Sequence, residues 1–252
     1  MKIIGIAASK NAGKTSSLNY IYGQVLTKND VIDKFDITDE GKLMVPASFE
    51  DGVRMGEYDI SRRDPAFVNY AQVGLWPFVK DYNFGTYIKE TIVTLYNIEP
   101  RLLWGNQAER DLETQYTWEA FLSLLGKTKC PKGIKKTDKV TGRQFIQHFA
   151  DILRSIDDDC FTRVILNQIE FEQVPVSIVG DVRRISELKA IQKAGGKVVY
   201  LTRRPHNDEH NIENEFKDYD LSNFDAVIDN QDMTIHEKNG HLHRICSEWE
   251  VF

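Results

Sequence analysis

The sequence predicts an α/β fold of three layers, in which helices cover both faces of a mainly parallel sheet. The chain opens with a β-branched run at residues 2–7, a turn with glycine and serine, and a helical segment at 14–25. Further along, the apolar run 174–179 is followed by a helical segment and by the apolar run 197–202. Nearly continuous apolar runs are typical of strands covered on both faces. We therefore expect these three runs to lie in one sheet, with the segment 184–194 as a crossover helix.

Length and composition limit the class of protein. At about 150 residues per domain, 252 residues correspond to one large or two small domains, and we expect a single domain over residues 1–252. Hydrophobic residues at 41% are enough for a real core and argue against disorder. The 32 Lys and Arg against 38 Asp and Glu leave a charge of −6, so we expect no stable nucleic-acid partner.

The sequence also predicts where the protein is located. No apolar run approaches the roughly 18 residues that a membrane span needs, and residues 1–8 lack the features of a signal peptide. The three cysteines are odd in number and far apart, which suits a reducing compartment. We therefore expect a cytoplasmic protein without a membrane partner.

The middle of the chain is less regular. Residues 35–38 and 42–46 flank a turn and predict a β-hairpin, whereas 47–82 are rich in polar and turn residues and predict a long irregular excursion. We interpret residues 31–80 together as an insertion with this hairpin. Residues 86–96 and 141–156 have helical spacing and predict helical segments of the substrate region.

Two further segments have patterns of their own. Six lysines crowd residues 127–141, which predicts either a solvated loop or a mobile, lid-like flap over bound phosphates. Near the C-terminus, residues 234–237 and 241–245 flank Asn239-Gly240, which predicts a second β-hairpin.

The most informative segment is Ala8-Ser9-Lys10-Asn11-Ala12-Gly13-Lys14-Thr15. It matches the phosphate-binding pattern G-x-x-x-x-G-K-[ST], with alanine in place of the first glycine. In that pattern the loop amides and the following helix bind phosphates, the lysine reaches the β- and γ-phosphates, and the hydroxyl takes a position on Mg²⁺. A chance match is the alternative, but the position between a strand and a helix favours a P-loop NTPase fold. The candidate cofactor-binding residues here are Ser9, Asn11, Ala12, Gly13, Lys14, Thr15 and Ser16.

Asp181 is the candidate carboxylate for the metal. It follows the apolar run 174–179, where a neighbouring strand would bring it to the phosphate loop, and Arg183 and Arg184 come directly after it. The alternative is that Asp181 is a turn or N-cap residue of the next helix.

In several ordered pieces the chain resembles the deoxynucleoside monophosphate kinases of tailed bacteriophages, within the P-loop nucleoside-monophosphate-kinase-like group. The resemblance covers most of the chain outside residues 31–80, and it implies a helical ending where the local pattern predicts a hairpin. The pieces are Gly13-Lys14-Thr15, residues 82–90, residues 142–147 with Asp151 and Arg154, Gly180-Asp181-Val182-Arg183, Glu187, residues 195–198, Arg203-Arg204-Pro205, Asp208-Glu209-His210 with Glu213, and residues 227–230.

The resemblance implies transfer of the ATP γ-phosphoryl group to the phosphate of a deoxynucleoside monophosphate, in the host cytoplasm if the protein comes from a phage. The acceptor oxygen is already ionised, so the family needs cations rather than a general base. By resemblance, Lys89 and Arg143 hold the acceptor phosphate, Arg154 and Arg183 lie close to the transferring group, and Arg203 contacts adenine or phosphate. The implied catalytic set is Lys14, Arg143, Arg154, Asp181 and Arg183, with Arg183 also binding substrate and with Thr15 and Asp181 on Mg²⁺.

Several alternatives stay open from the sequence alone. Each arginine can instead be a surface or salt-bridging side chain. A P-loop kinase that acts on a hydroxyl of a nucleoside, a coenzyme or a modified DNA base would use a carboxylate as its base, which could be Asp181, Asp36 or Asp59. A non-catalytic nucleotide-binding protein is the alternative from another class, and the active unit is either a monomer or a homodimer.

Overall fold

The structure is a computed structural model that describes residues 1–9, 11–49, 52–62, 64–203 and 215–252. None of the helices in these ranges is long and apolar enough to cross a lipid bilayer. The strands are β1 (Lys2–Ala8), β2 (Asp36–Ile37), β3 (Leu43–Phe49), β4 (Gly52–Glu57), β5 (Val79–Tyr82), β6 (Glu113–Thr117), β7 (Lys139–Thr141), β8 (Val176–Val182), β9 (Lys197–Leu201) and β10 (Ala226–Ile228). The helices are α1 (Lys14–Lys28), α2 (Pro65–Gly74), α3 (Phe84–Tyr96), α4 (Arg101–Trp104), α5 (Gln107–Arg110), α6 (Trp118–Leu124), α7 (Gly142–Ile156), α8 (Cys160–Glu172), α9 (Ile185–Lys193) and α10 (Ile235–Glu248).

The chain forms two compact units. The first comprises Met1–Asn83 and Ile165–Phe252, and the second comprises Phe84–Val164. Compact units need not be separate functional domains, so the expectation of one kinase domain over residues 1–252 stays a prediction.

The first unit is built on a mostly parallel central sheet. Among the described residues its five strands lie in the order β10-β9-β1-β8-β5, and each neighbouring pair is parallel. The three apolar runs predicted to share a sheet are β8, β1 and β9, so that prediction is confirmed. Ile6, Ile178 and Leu201 are fully buried between the sheet and its flanking helices. The first unit is therefore a mixed α/β fold, compatible with three α/β/α layers.

Residues 47–82 are more regular than the sequence predicts. The hairpin between β2 and β3 is confirmed, but β3 continues to Phe49 and pairs with β4 in an antiparallel sheet. Asp64 caps α2 by accepting a hydrogen bond from the Phe67 amide (3.1 Å), and Pro65 supplies its first residue. The prediction of an irregular excursion is therefore wrong, because these residues form β4, α2 and the edge strand β5. Whether residues 31–80 are an insertion stays a prediction.

The prediction of a C-terminal β-hairpin is also wrong, because residues 235–248 form α10. Thr234 and Glu237 form a reciprocal capping box, in which the Thr234 Oγ1 accepts from the Glu237 amide and the Glu237 carboxylate accepts from the Thr234 amide. Leu242 and Cys246 are fully buried against the core of the first unit. The capping box and this apolar face outweigh the turn preference of the Asn-Gly pair.

The second unit is organised around a group of aromatic side chains. The ring centroid of Phe145 in α7 lies 4.4 Å from that of Phe121 and 5.3 Å from that of Tyr96. The predicted helices over 86–96 and 141–156 are confirmed as α3 and α7. Residues 127–138 lie in turns and coil before β7, and the lid-like role of 127–141 stays a prediction.

Candidate functional site

The candidate site lies in the first unit at the carboxyl ends of β1 and β8. The connections that follow these two neighbouring parallel strands lead in opposite directions across the sheet. After β1 the chain crosses to β5 at one edge, whereas after β8 it crosses to β9 on the other side of β1. A crevice at such a switch point is where open α/β sheets bind ligands. The segments that follow the two strands therefore decide what this site can bind.

The loop from β1 to α1 leaves the first turn of the helix without a side-chain cap. Gly13 is the N-cap residue, and with φ at 100° it takes a left-handed conformation that strains any residue with a Cβ atom. Asn11 is also left-handed (φ 58°), and the Ala12 amide donates to the Ser9 carbonyl at 3.3 Å. The amides at the start of α1 are thus available to an anion, and the positive end of the helix dipole favours one there.

Lys14 folds back over this loop. Its Nζ donates to the carbonyl oxygens of Ala8 (2.7 Å) and Ser9 (2.8 Å) and lies 3.9 Å from Oδ1 of Asp181. Burial lowers the pKa of Lys14 to about 8; Asp181 opposes that shift, and Arg183 adds to it. A phosphate group beside the ammonium would favour its charged form.

Asp181 reaches the site through an irregularity in β8. Between the pairs Gly5–Val179 and Ala7–Val182, β8 advances by one residue more than β1, and Asp181 lies within this extra length. Such a bulge changes the direction in which side chains leave a strand.

The Asp181 carboxylate is shared by two cations. Its Oδ1 accepts a hydrogen bond from Nε of Arg183 (2.7 Å), in addition to the longer ion pair with Lys14. Just before it, Gly180 permits close packing of α1, because a Cβ atom there would lie 2.7 Å from the Leu18 side chain. The amides of Arg183 and Arg184 both donate to Glu187. The turn that carries Asp181 and Arg183 is therefore held in place by the start of α9.

The structure brings Lys14, Asp181 and Arg183 into contact, and the remaining predicted residues of the first unit lie around them. Thr15 is exposed in the first turn of α1, next to Lys14 in the chain. Ser16 is 4% exposed and its hydroxyl points inward, donating to the Gly13 carbonyl at 2.9 Å. Arg203 is exposed at the end of β9, and its backbone amide donates to Asn230.

Two residues that support the loop have no role that the sequence predicts. The Nδ2 of Asn230, which follows β10, donates to the Ala12 carbonyl at 2.9 Å. The Nζ of Lys238 in α10 lies beneath the first turn of α1. The position of Asn230 after an apolar run was a usable signal, whereas a single lysine in a segment interpreted as a hairpin was not.

Lys89, Arg143 and Arg154 belong to the second unit. The Nζ of Lys89 in α3 lies 5.7 Å from the centre of the Trp104 ring, and the Arg154 guanidinium lies 5.3 Å from that of Phe161. Arg143, in the first turn of α7, donates from Nε to Asp111 at 2.5 Å. Each of these cations is thus already held by a neighbour within its own unit.

Part of the family resemblance falls on residues 204–214, which include Arg204-Pro205, Asp208-Glu209-His210 and Glu213. These residues lie outside the part of the chain that the structure describes. No model of a known protein family matches the chain, and no curated protein matches it significantly.

The donor set at the site fits Mg²⁺. This ion takes few protein ligands, with oxygen donors such as a carboxylate, and completes its shell with substrate phosphates and water. The Asp181 carboxylate and the exposed Thr15 hydroxyl are oxygen donors of this kind. The site thus combines two cations, the uncapped amides of α1 and a carboxylate, which are the groups that a nucleoside triphosphate and its metal ion require.

Proposed function

We propose that this protein is a P-loop nucleotide kinase that transfers the γ-phosphoryl group of ATP to the phosphate of a deoxynucleoside 5′-monophosphate. The observation that carries the proposal is the group formed by Lys14, Asp181 and Arg183 at the uncapped start of α1. Two cations beside free helix amides suit a polyphosphate, and the carboxylate suits its metal ion. The deoxynucleotide acceptor is implied by the family resemblance.

In this mechanism the side chains position phosphates and neutralise charge. Lys14 and the amides of residues 13–15 would hold the β- and γ-phosphates, while the planar fork of Arg183 suits the oxygens of the transferring group. The acceptor phosphate is ionised near neutral pH, so no residue has to remove a proton. Bound Mg²⁺, held by Thr15 and Asp181, would neutralise phosphate charge.

A screen of possible phosphate acceptors tests the proposed kinase activity directly. The purified chain is incubated with ATP and Mg²⁺ together with each deoxynucleoside monophosphate, each ribonucleoside monophosphate and each nucleoside in turn. We expect ADP and a deoxynucleoside diphosphate with at least one deoxynucleoside monophosphate. Product from nucleosides alone would favour the hydroxyl-directed kinase, and nucleotide binding without turnover of any acceptor would favour a non-catalytic protein.

Replacing Arg143 with alanine should impair the acceptor side alone. Arg143 can grip a phosphate bidentately, and its loss should raise the KM for the deoxynucleoside monophosphate by about tenfold or more. The affinity for ATP should stay nearly unchanged. Initial rates measured while each substrate is varied separately check both expectations.

The control is Asp111→Asn, which keeps Arg143 but removes the charge of its partner. If Arg143 binds the acceptor, this variant should keep the wild-type KM for the monophosphate. An equal rise in both variants would mean that the Arg143–Asp111 pair is structural. If Arg143→Ala loses as much affinity for ATP as for the monophosphate, Arg143 contributes to the ATP site instead.

A further inference from the structure

A buried lysine from the C-terminal helix supports the loop from β1 to α1. Lys238 is 2% exposed, and its Nζ donates to Oγ of Ser16 (2.6 Å), to Oγ of Ser17 (2.8 Å) and to the carbonyl of Gly13 (3.2 Å). The two hydroxyls in turn donate to the same Gly13 carbonyl, at 2.9 and 3.0 Å. All three N–H groups of the ammonium therefore donate hydrogen bonds to the first turn of α1.

This position is unfavourable for a cation by itself. Among the residues that the structure describes, no carboxylate pairs with Lys238, and burial alone lowers its pKa to about 7. The ammonium also lies at the positive end of the α1 dipole, where anions are favoured and cations are not. Burying an unpaired charge is expensive, so a hydrophobic residue of the same length would be expected if packing were the only requirement.

We propose that Lys238 is a positioning residue for the triphosphate: it fixes the Gly13 carbonyl, and so holds the amides at the start of α1 in the orientation that binds phosphate. The inference rests on the proposed function, because it concerns the same phosphate site. A phosphate anion in the loop would supply the counter-charge that the described residues do not. Lys14 contacts the carbonyls at the end of β1, whereas Lys238 contacts the first turn of α1, so the two lysines hold different parts of the loop.

The test compares Lys238→Met with the wild-type chain. Methionine keeps the length of the side chain and leaves the hydrogen bonds from Ser16 and Ser17 to Gly13 in place. We expect the dissociation constants of inorganic tripolyphosphate and of a nonhydrolysable ATP analogue to rise at least tenfold, with the KM of the acceptor unchanged. The melting temperature at pH 6 should equal or exceed that of the wild type, because a buried charge has been removed. Lys193→Met, at an exposed lysine of α9, is the matched control and should change none of the dissociation constants, the KM or the melting temperature.

The possible outcomes distinguish a failure of this inference from a failure of the proposed function. If the wild type binds neither tripolyphosphate nor the analogue, the proposed function fails. If wild type and Lys238→Met bind both equally, only the role of Lys238 is overturned. It is also overturned if affinity and melting temperature fall together, because that result indicates a purely structural lysine.

If Lys238→Met does not fold, a measurement on the wild-type chain tests the role of Lys238 instead. Hydrogen exchange is followed with and without the ATP analogue in peptides from the starts of α1 and α10, with α2 as the reference, because α2 supplies no residue to the proposed site. We expect the analogue to protect both helix starts more than α2. Protection of α1 without α10, or equal protection of α2, would overturn the inference.

Discussion

Replacing Lys14 with alanine is expected to lower kcat by about 10² or more, which corresponds to a loss on the order of 3 kcal/mol of transition-state stabilisation. The physical reason is that, in the proposed mechanism, negative charge on the transferring group has to be met at a fixed position. Lys14 is held at that position by the carbonyls of Ala8 and Ser9. Steady-state rates at saturating ATP and acceptor, with ADP as the measured product, check this expectation.

The fold should tolerate the Lys14 substitution, because the ammonium is partly buried and its removal leaves Asp181 paired with Arg183. Circular dichroism and the melting temperature of the variant should therefore stay close to those of the wild type. Lys28→Ala, at an exposed lysine in the last turn of the same helix, is the matched control and should keep full activity. Near-wild-type turnover in Lys14→Ala would reject the assignment of Lys14 to the phosphates.

Replacing Phe145 with alanine is expected to destabilise the second unit by about 3–5 kcal/mol, the range for large-to-small changes at buried aromatic residues. Phe145 is fully buried, and rings from α3, β6, α6 and α7 surround it. Its removal leaves a cavity that cannot close without moving several of these elements. Urea unfolding, with hydrogen exchange to assign the loss to residues 84–164, measures the effect.

Phe171→Ala provides the contrast, because Phe171 is 87% exposed in α8. Its substitution should change stability by no more than about 0.5 kcal/mol. If the two alanine variants unfold at the same urea concentration, the aromatic cluster is not the centre of the second unit.

The sequence predicted the parts of the fold in which local pattern and tertiary environment agree. The runs that became β1, β8 and β9 are nearly continuous in apolar character, which is typical of strands covered on both faces. The same agreement applies to α7, where Thr141 and Gln144 form a capping box at the predicted start.

The errors occur where one strong local signal was given too much weight. Asn239-Gly240 is a turn signal in isolation, but the capping box from Thr234 to Glu237 and the buried Leu242 and Cys246 indicate a helix. In the same way, Asp64-Pro65 marks the start of α2 within residues 47–82, although the polar and turn residues of this range predict an irregular excursion. In both segments the N-terminal helix cap is a stronger signal than the turn-forming residues.

The site was only partly predictable, for a different reason. The loop motif and Asp181 stand next to recognisable strands, so their convergence could be expected from parallel topology. Lys238 is separated from Gly13 by 225 positions, and neither its residue type nor its neighbours mark it. Support that a distant helix gives to a loop can be recognised only in the folded chain.

The contacts of Asn230 and Lys238 with the loop have a consequence for biosynthesis. Ala12 leaves the ribosome 218 residues before Asn230 does, so the loop is synthesised long before the residues that support it. A nascent chain without Asn230 and Lys238 would hold nucleotide weakly at the proposed site. Tight binding of ATP would then require that the segment carrying these two residues has been translated and has folded onto the loop.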